Sequence, residues 1–254
     1  MEDILLKLLL ICPITFIAGF IDSIAGGGGL ISLPAYFAIG IPPHLATGTN
    51  KCSSTFGSFF ATVRYIKNGK VHIQSAVFAA IMALFGSYLG ATLNLSLDEK
   101  YLKYILIFIL PITAFIIYQK KEFGRENKAL GLSGGKIILL SMMSGFVIGI
   151  YDGFFGPGTG TFLIFCFSAL IGFDLITSSG NAKIVNFSSN IAALITFAVH
   201  GKILYTIGIP GAIFGILGNW IGSGIALKRG TKVIRPMLVI VMGILLIKVI
   251  VDLL

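Results

Sequence analysis

Two lysines and two aspartates stand inside or beside apolar stretches of this chain, and they recur at matched positions. Lys51 follows the polar run Thr47-Gly48-Thr49-Asn50, and Lys183 follows Ser178-Ser179-Gly180-Asn181-Ala182. Asp22 and Asp152 each precede a glycine-rich stretch, Gly26–Gly29 and Gly156-Pro157-Gly158-Thr159-Gly160. An ionisable side chain in an apolar segment is expensive and usually faces a cavity or a partner. Ammonium groups and free backbone N–H groups are the donors an oxyanion needs. A helix that restarts inside the membrane after a glycine break points such N–H groups, and a partial positive charge, into a cavity. The chemistry that fits is the binding of a small anion. Its candidate contacts are Lys51, Lys183, Asn50, Asn181 and Thr49, the loop residues Gly27, Gly28, Gly158 and Thr159, and the further amide Asn186. Asp22 and Asp152 could pair with the lysines, fix the loops or carry a coupled proton.

Each residue also has a plainer role. The lysines could snorkel toward an interface, the carboxylates could cap helices, and glycines or amides could serve close packing between helices. Recurrence argues against chance. A shift of 130 superimposes Gly19 on Gly149, Asp22 on Asp152, Gly26 on Gly156 and Gly28 on Gly158. A shift of 132 pairs Ile39-Gly40 with Ile171-Gly172, Gly48 with Gly180, Lys51 with Lys183 and Gly69-Lys70 with Gly201-Lys202. The two-residue slip between these registers is expected in a loop.

Other reactive types offer little. His44, His72 and His200 are scattered without metal-ligand spacing, so no metal is expected. Cys12, Cys52 and Cys166 are too few and too far apart for a disulfide framework; Cys52, beside Lys51, reads as a small packing residue. Gly156-Pro157-Gly158-Thr159-Gly160 lacks the Gly-Lys-Ser/Thr ending of a nucleotide-binding loop. Neither an ATPase nor a cofactor is implied.

The elements that must position these residues are apolar helices. The chain is 56% hydrophobic and 11% charged, with mean hydropathy +0.97, against about 25% charged for a soluble domain. Its apolar runs lack the alternation of a membrane barrel. The expected fold is an all-α integral membrane protein of two inverted-topology repeats, with about five apolar segments each and broken or re-entrant helices at the glycine motifs. The first repeat is 1–118, with segments at 4–24, 30–41, 45–66, 71–96 and 101–118. A polar linker spans 119–136. The second repeat is 137–254, with segments at 137–151, 159–172, 177–199, 203–227 and 233–253. The segments at 30–41 and 159–172 are short for a crossing. A cleaved leader is not expected, because Glu2 and Asp3 replace a basic start.

The net charge of +9 does not call for nucleic acid. If each half makes an odd number of crossings, basic residues at 64–70, 120–136 and 228–235 share one side, twelve against five on the other. The positive-inside bias makes that side cytoplasmic. The linker 119–136 is then cytoplasmic and both termini are extracytoplasmic, in a multi-pass protein of the cell (inner) membrane. Small-residue faces could serve internal packing or a homo-oligomer.

Gly19-Phe20-Ile21-Asp22-Ser23-Ile24-Ala25-Gly26-Gly27-Gly28-Gly29-Leu30, followed by Thr47-Gly48-Thr49-Asn50-Lys51, resembles the sulfite exporter TauE/SafE family. Tyr151-Asp152-Gly153-Phe154-Phe155-Gly156-Pro157-Gly158-Thr159-Gly160, with Asn181-Ala182-Lys183, resembles that family's second repeat. The resemblance implies a secondary transporter of sulfur-containing anions such as sulfite or organosulfonates. With inverted repeats and broken helices, alternating access around a mid-bilayer site is the expected mechanism. Two other readings stand beside it. A passive anion channel, or a permease for a non-sulfur anion, is barely separable by sequence. An intramembrane aspartyl protease is disfavoured because no second Gly-x-Gly-Asp stretch occurs and the aspartates fall at equivalent repeat positions.

Overall fold

The computed structural model describes residues 2–98 and 129–253. The expected segment 101–118 and residues 119–128 of the linker lie outside them. Nine α-helices are found among the described residues: α1 (Glu2–Ala25), α2 (Gly29–Ala38), α3 (Pro43–Lys67), α4 (Ile73–Ser96), α5 (Gly134–Phe154), α6 (Thr159–Phe165), α7 (Leu175–Val199), α8 (Tyr205–Arg229) and α9 (Thr231–Leu253). A short 3-10 turn, Ala129–Gly131, precedes α5. No strand occurs among the described residues.

Local chemistry sets several of these boundaries. Pro43 opens α3 at its first position, where a missing N–H costs nothing. The Asp174 carboxylate caps α7, its Oδ1 accepting from the backbone N–H groups of Ile176 and Thr177 at 3.0 Å. His72 accepts from Ser75 N at the start of α4. α1 stops at Ala25, before Gly26 at φ +76°, and α5 stops before Gly156 at φ +96°.

The short helices lie after these breaks. α2 has ten residues, and α6 continues through a wide π-helical turn, Cys166–Ile171, to thirteen. At 1.5 Å per residue they span about 15 and 20 Å, short of the roughly 30 Å hydrocarbon core. The slip between the two sequence registers falls between Gly158 and Ile171. That is helix rather than the expected loop, and the wide turn takes up the inserted residues.

Among the described residues, five helices are long and apolar enough to cross a membrane: Ile4–Ala25, Ile73–Ser96, Gly134–Phe154, Leu175–Val199 and Tyr205–Arg229. The outer surface is rich in apolar side chains, and many polar ones are buried beside the apolar core. Leu5, Leu9, Phe85, Leu89, Val147 and Ile213 are exposed, while Asn50, Lys51, Asn181, Lys183, Ser189 and Asn190 are buried. In water this distribution would be untenable; in lipid it is what packing requires.

Each half packs largely across the other. α1 lies on α8, and α5 lies on α4; α3 also packs on α8, α7 on α4, and α3 and α7 on each other. Glycines permit the approach. A Cβ at Gly86 or Gly90 would collide with the carbonyl oxygens of Phe146 or Ile150, and one at Gly218 or Gly222 with those of Phe16 or Phe20. These are small-residue interfaces of the membrane type. They occupy small-residue faces in internal packing. Positive φ recurs at matched glycines too: Gly26 with Gly156, Gly40 with Gly172, and Gly69 with Gly201. Gly28 breaks the correspondence, being right-handed at φ −56° where Gly158 has φ +83°.

Candidate functional site

The two glycine breaks meet in the middle of the molecule. A Cβ on Gly26 would collide with the carbonyl carbon of Gly160, so only two glycines allow this crossing. Gly29 faces Pro157, and Thr161 Oγ1 donates to Ala25 O at 2.7 Å. The second break is also fixed from within: Tyr151 donates its hydroxyl to Pro157 O at 2.6 Å, and Thr159 Oγ1 donates to Gly156 O at 2.7 Å.

α3 and α7 bring the lysines to this crossing. Lys51 Nζ lies 2.8 Å from Asp152 Oδ1, with both side chains 2% exposed. Lys183 Nζ lies 2.7 Å from Asp22 Oδ2, with exposures of 0% and 16%. The pairing is reciprocal, each lysine holding the aspartate of the other half. Neither lysine snorkels.

The Lys51 pair is the more fully enclosed. Lys51 Nζ also donates to Asn190 Oδ1 at 3.0 Å, and Asn190 Nδ2 donates to Asn186 Oδ1 at 3.2 Å. Ser189 Oγ donates to Asp152 Oδ2 at 2.6 Å. On the other side, the Gly28 N–H makes a long 3.4 Å contact with Asp22 Oδ1. A central void of about 20 Å³ touches Asp22, Gly26, Gly29, Asn50, Lys51, Asp152, Gly156, Thr159, Asn186 and Asn190. One ammonium group, Lys51, and two carboxylates, Asp22 and Asp152, line it, so its wall is not electropositive.

The remaining sequence candidates divide. Asn50 lines the void, but its Oδ1 accepts from Ser32 Oγ at 2.6 Å. Thr49 and Asn181 play equivalent tethering parts. Thr49 Oγ1 accepts from Leu204 N at 3.0 Å, at the start of α8. Asn181 Oδ1 accepts from His72 N at 2.9 Å, at the start of α4, and its Nδ2 donates to Ser75 Oγ at 3.1 Å. Gly27 abuts Val241 on α9, and Gly28 abuts Asp22 and the Ala18 carbonyl. Gly158 supplies the left-handed turn before α6, and Thr159 lines the void. Cys52 packs with Ala91, Ala193, Phe197 and Ile203.

Ser189 and Asn190 escaped the sequence reading. Their signal was the polar face Lys183-Asn186-Asn190, spaced i, i+3 and i+7 on one side of a helix. Following that stripe from Lys183 would have found Asn190.

Lipid-facing apolar helices, a broken-helix crossing and buried ion pairs between two halves define a helical membrane transporter. The chain belongs to the sulfite exporter TauE/SafE family, whose model matches residues 11–249. It is 38% identical to a Sinorhizobium protein named a probable membrane transporter protein, over 99% of this chain and 96% of the relative. It is 37% identical to a Haemophilus influenzae protein of similar name, over 93% of this chain and 92% of the relative. It is 36% identical to the Escherichia coli K12 probable membrane transporter protein YfcA, over 94% of this chain and 88% of the relative. Family and relatives are named as transporters, not enzymes. No solved structure matches significantly.

Proposed function

We propose that this protein is a secondary transporter, acting as an exporter, of sulfur-containing anions such as sulfite or organosulfonates. The observation that carries the reading is the reciprocal pairing of Lys51 with Asp152 and Lys183 with Asp22 where the glycine breaks cross. A sulfite or sulfonate group offers oxygens that accept from the same Nζ–H donors as the aspartates. The anion therefore competes with the carboxylates for the lysines. Each ion pair bridges the two halves, so exchanging a carboxylate for substrate loosens the tie between them. The void of about 20 Å³ has room for a water molecule, so the anion's place forms as the halves move.

Alternating access follows if the halves are inverted repeats that rock about this crossing. The matched glycines and matched helix contacts support that relation. The charge bias of the loops supports a cytoplasmic linker and extracytoplasmic termini in the cell membrane. The family description supports the sulfur class and the outward direction. Without a nucleotide-binding loop, the driving force is an ion gradient or the substrate's own gradient.

Proteoliposome flux tests the reading. Wild type should show saturable sulfite or sulfonate transport with counterflow, and Lys51→Ala and Lys183→Ala should each lower flux at least tenfold. Normal, saturable flux in both variants removes the lysines from the mechanism. Single-channel currents would make the protein a pore, and transport confined to non-sulfur anions would make it another permease. A C-terminal alkaline phosphatase fusion should be active if that terminus is extracytoplasmic.

A further inference from the structure

A second cavity opens beside Asp22 and Gly28, and no lysine lines it. Thr15, Asp22, Ser32, Ser53, Ser54 and Asn219 line it. Asn219 lies on α8, buried to 3% exposure, and is wedged into gaps left by Gly19 on α1 and Gly57 on α3. Its Nδ2 donates to Gly215 O at 3.0 Å, which fixes the amide's orientation. The Oδ1 is left with no hydrogen-bond partner among the described residues. A buried amide oxygen without a partner is costly, and Asn219, which carries this one, lines the cavity.

Three of the neighbouring hydroxyl groups, on Thr15, Ser32 and Ser53, have already given their protons to the protein. Thr15 Oγ1 donates to Ile11 O and Cys12 O at 3.0 Å, Ser53 Oγ to Asn50 O at 3.0 Å, and Ser32 Oγ to Gly28 O and Asn50 Oδ1 at 3.1 and 2.6 Å. What these groups have to spare is oxygen lone pairs, although Ser53 Oγ uses one of its two to accept from the Tyr36 hydroxyl at 3.3 Å. Asp22 Oδ1 has spare capacity as well, its 3.4 Å contact with Gly28 N being long. A wall of amide, hydroxyl and carboxylate oxygens is matched by a hard cation. The void of about 20 Å³ holds one water-sized particle. A single carboxylate, already shared with Lys183, fits one positive charge.

We propose that this cavity is a binding site for a small monovalent cation of sodium size, held by Asp22, Asn219 Oδ1 and the hydroxyl oxygens of Ser32 and Ser53. The site occurs in one half only. The residue matched to Asn219 is Ser87, which donates to Ser189 O at 2.6 Å, and the residue matched to Gly57 is Ser189 itself, bonded to Asp152. Around Asp152 side chains occupy the space that is open around Asp22. Where the transport reading holds, a cation on Asp22 draws the carboxylate from Lys183 and frees that ammonium group for the anion. The cation site itself does not depend on that reading.

The test is thermal melting of the detergent-purified protein in sodium, potassium or choline chloride at equal ionic strength, with no oxyanion present. Sodium should raise the wild-type melting temperature by several degrees, saturably, since a ligand of the native state stabilises it. Asn219→Leu should abolish the sodium response, and the milder Ser53→Ala should raise the sodium concentration required at least tenfold. Equal melting in all three salts overturns the proposal and leaves a water-filled cavity only. A sodium response unchanged in Ser53→Ala, and in Asn219→Leu where that variant folds, overturns it too. Binding of radioactive sodium to the wild type, measured without flux, keeps the result separate from the fate of the anion-transport reading.

Discussion

Lys51 on α3 reaches Asp152 on α5 at 2.8 Å, while Asp152 takes a second bond from Ser189 Oγ at 2.6 Å. Every charged atom of this pair has a partner inside the protein. Taking such a pair out of water is costly, and removing one member leaves an uncompensated buried charge, at about 3–5 kcal/mol. Asp152→Asn and Lys51→Met should therefore each destabilise the detergent-purified protein by about that much. The double variant Lys51→Met/Asp152→Asn should recover most of the loss, because it leaves no lone charge. Thermal melting of the four proteins closes the cycle. Additive losses would show that the two charges do not depend on each other.

Asp22 offers the contrast. Its side chain is 16% exposed and opens on a cavity that can admit a water molecule. Asp22→Asn should lower the melting temperature less than Asp152→Asn does in the same buffer. Equal losses would mean that the cavity does nothing to relieve the charge left on Lys183.

The glycine breaks make a second contrast. Gly26 at φ +76° has the Gly160 backbone against it, whereas Gly40 at φ +81° has nothing within 4 Å of a built Cβ. Gly40→Ala incurs only the left-handed conformation, about 1–2 kcal/mol, and should remain monodisperse in detergent. Gly26→Ala adds a backbone collision and should fail to yield folded protein. Size-exclusion profiles of both variants decide it. A well-folded Gly26→Ala would mean that the crossing is not as close as described.

The crossing also supplies a mechanical test. A Cβ on Gly29 would lie 3.2 Å from Pro157 Cα, which brings cysteines at these two positions within disulfide reach. In a background lacking Cys12, Cys52 and Cys166, oxidised Gly29→Cys/Pro157→Cys should transport at least tenfold more slowly, and reductant should restore the rate. Full flux in the cross-linked protein would exclude separation of the two breaks from the transport cycle.

Much of this was legible in the sequence because membrane helices declare themselves by composition and repeats by register. Lys51, Lys183, Asp22 and Asp152 stood out because charge inside apolar segments is rare. The cross-pairing was less legible, since it depends on α1 packing against α8 and α5 against α4, contacts such as Phe16–Gly218 and Gly86–Phe146 between residues far apart along the chain. Thr49 and Asn181 show the limit from the other side. Their polar types and their closeness to the lysines suggested anion contacts, yet a helix turns about 100° per residue. Thr49 and Lys51, two apart, therefore project in different directions, as do Asn181 and Lys183. Gly27 illustrates the same point within a loop, facing Val241 rather than the void.

That difference in direction separates two amides of α7 by experiment. Asn190 bonds to Lys51 Nζ and lines the central void, whereas Asn181 holds the first turn of α4 through His72 N and Ser75 Oγ. Asn181→Ala leaves the part-buried His72 N–H tie unmade and should cost about 1–3 kcal/mol of stability, with the apparent affinity for transported anion unchanged. Asn190→Ala removes an acceptor from the lysine that is proposed to take the substrate, so it should shift the anion's KM severalfold with a smaller loss in melting temperature. Melting curves and concentration-dependent flux on the same preparations resolve the pair. If Asn181→Ala moves KM and Asn190→Ala does not, the anion binds on the α4 side of α7, and the ion-pair crossing is scaffold rather than site.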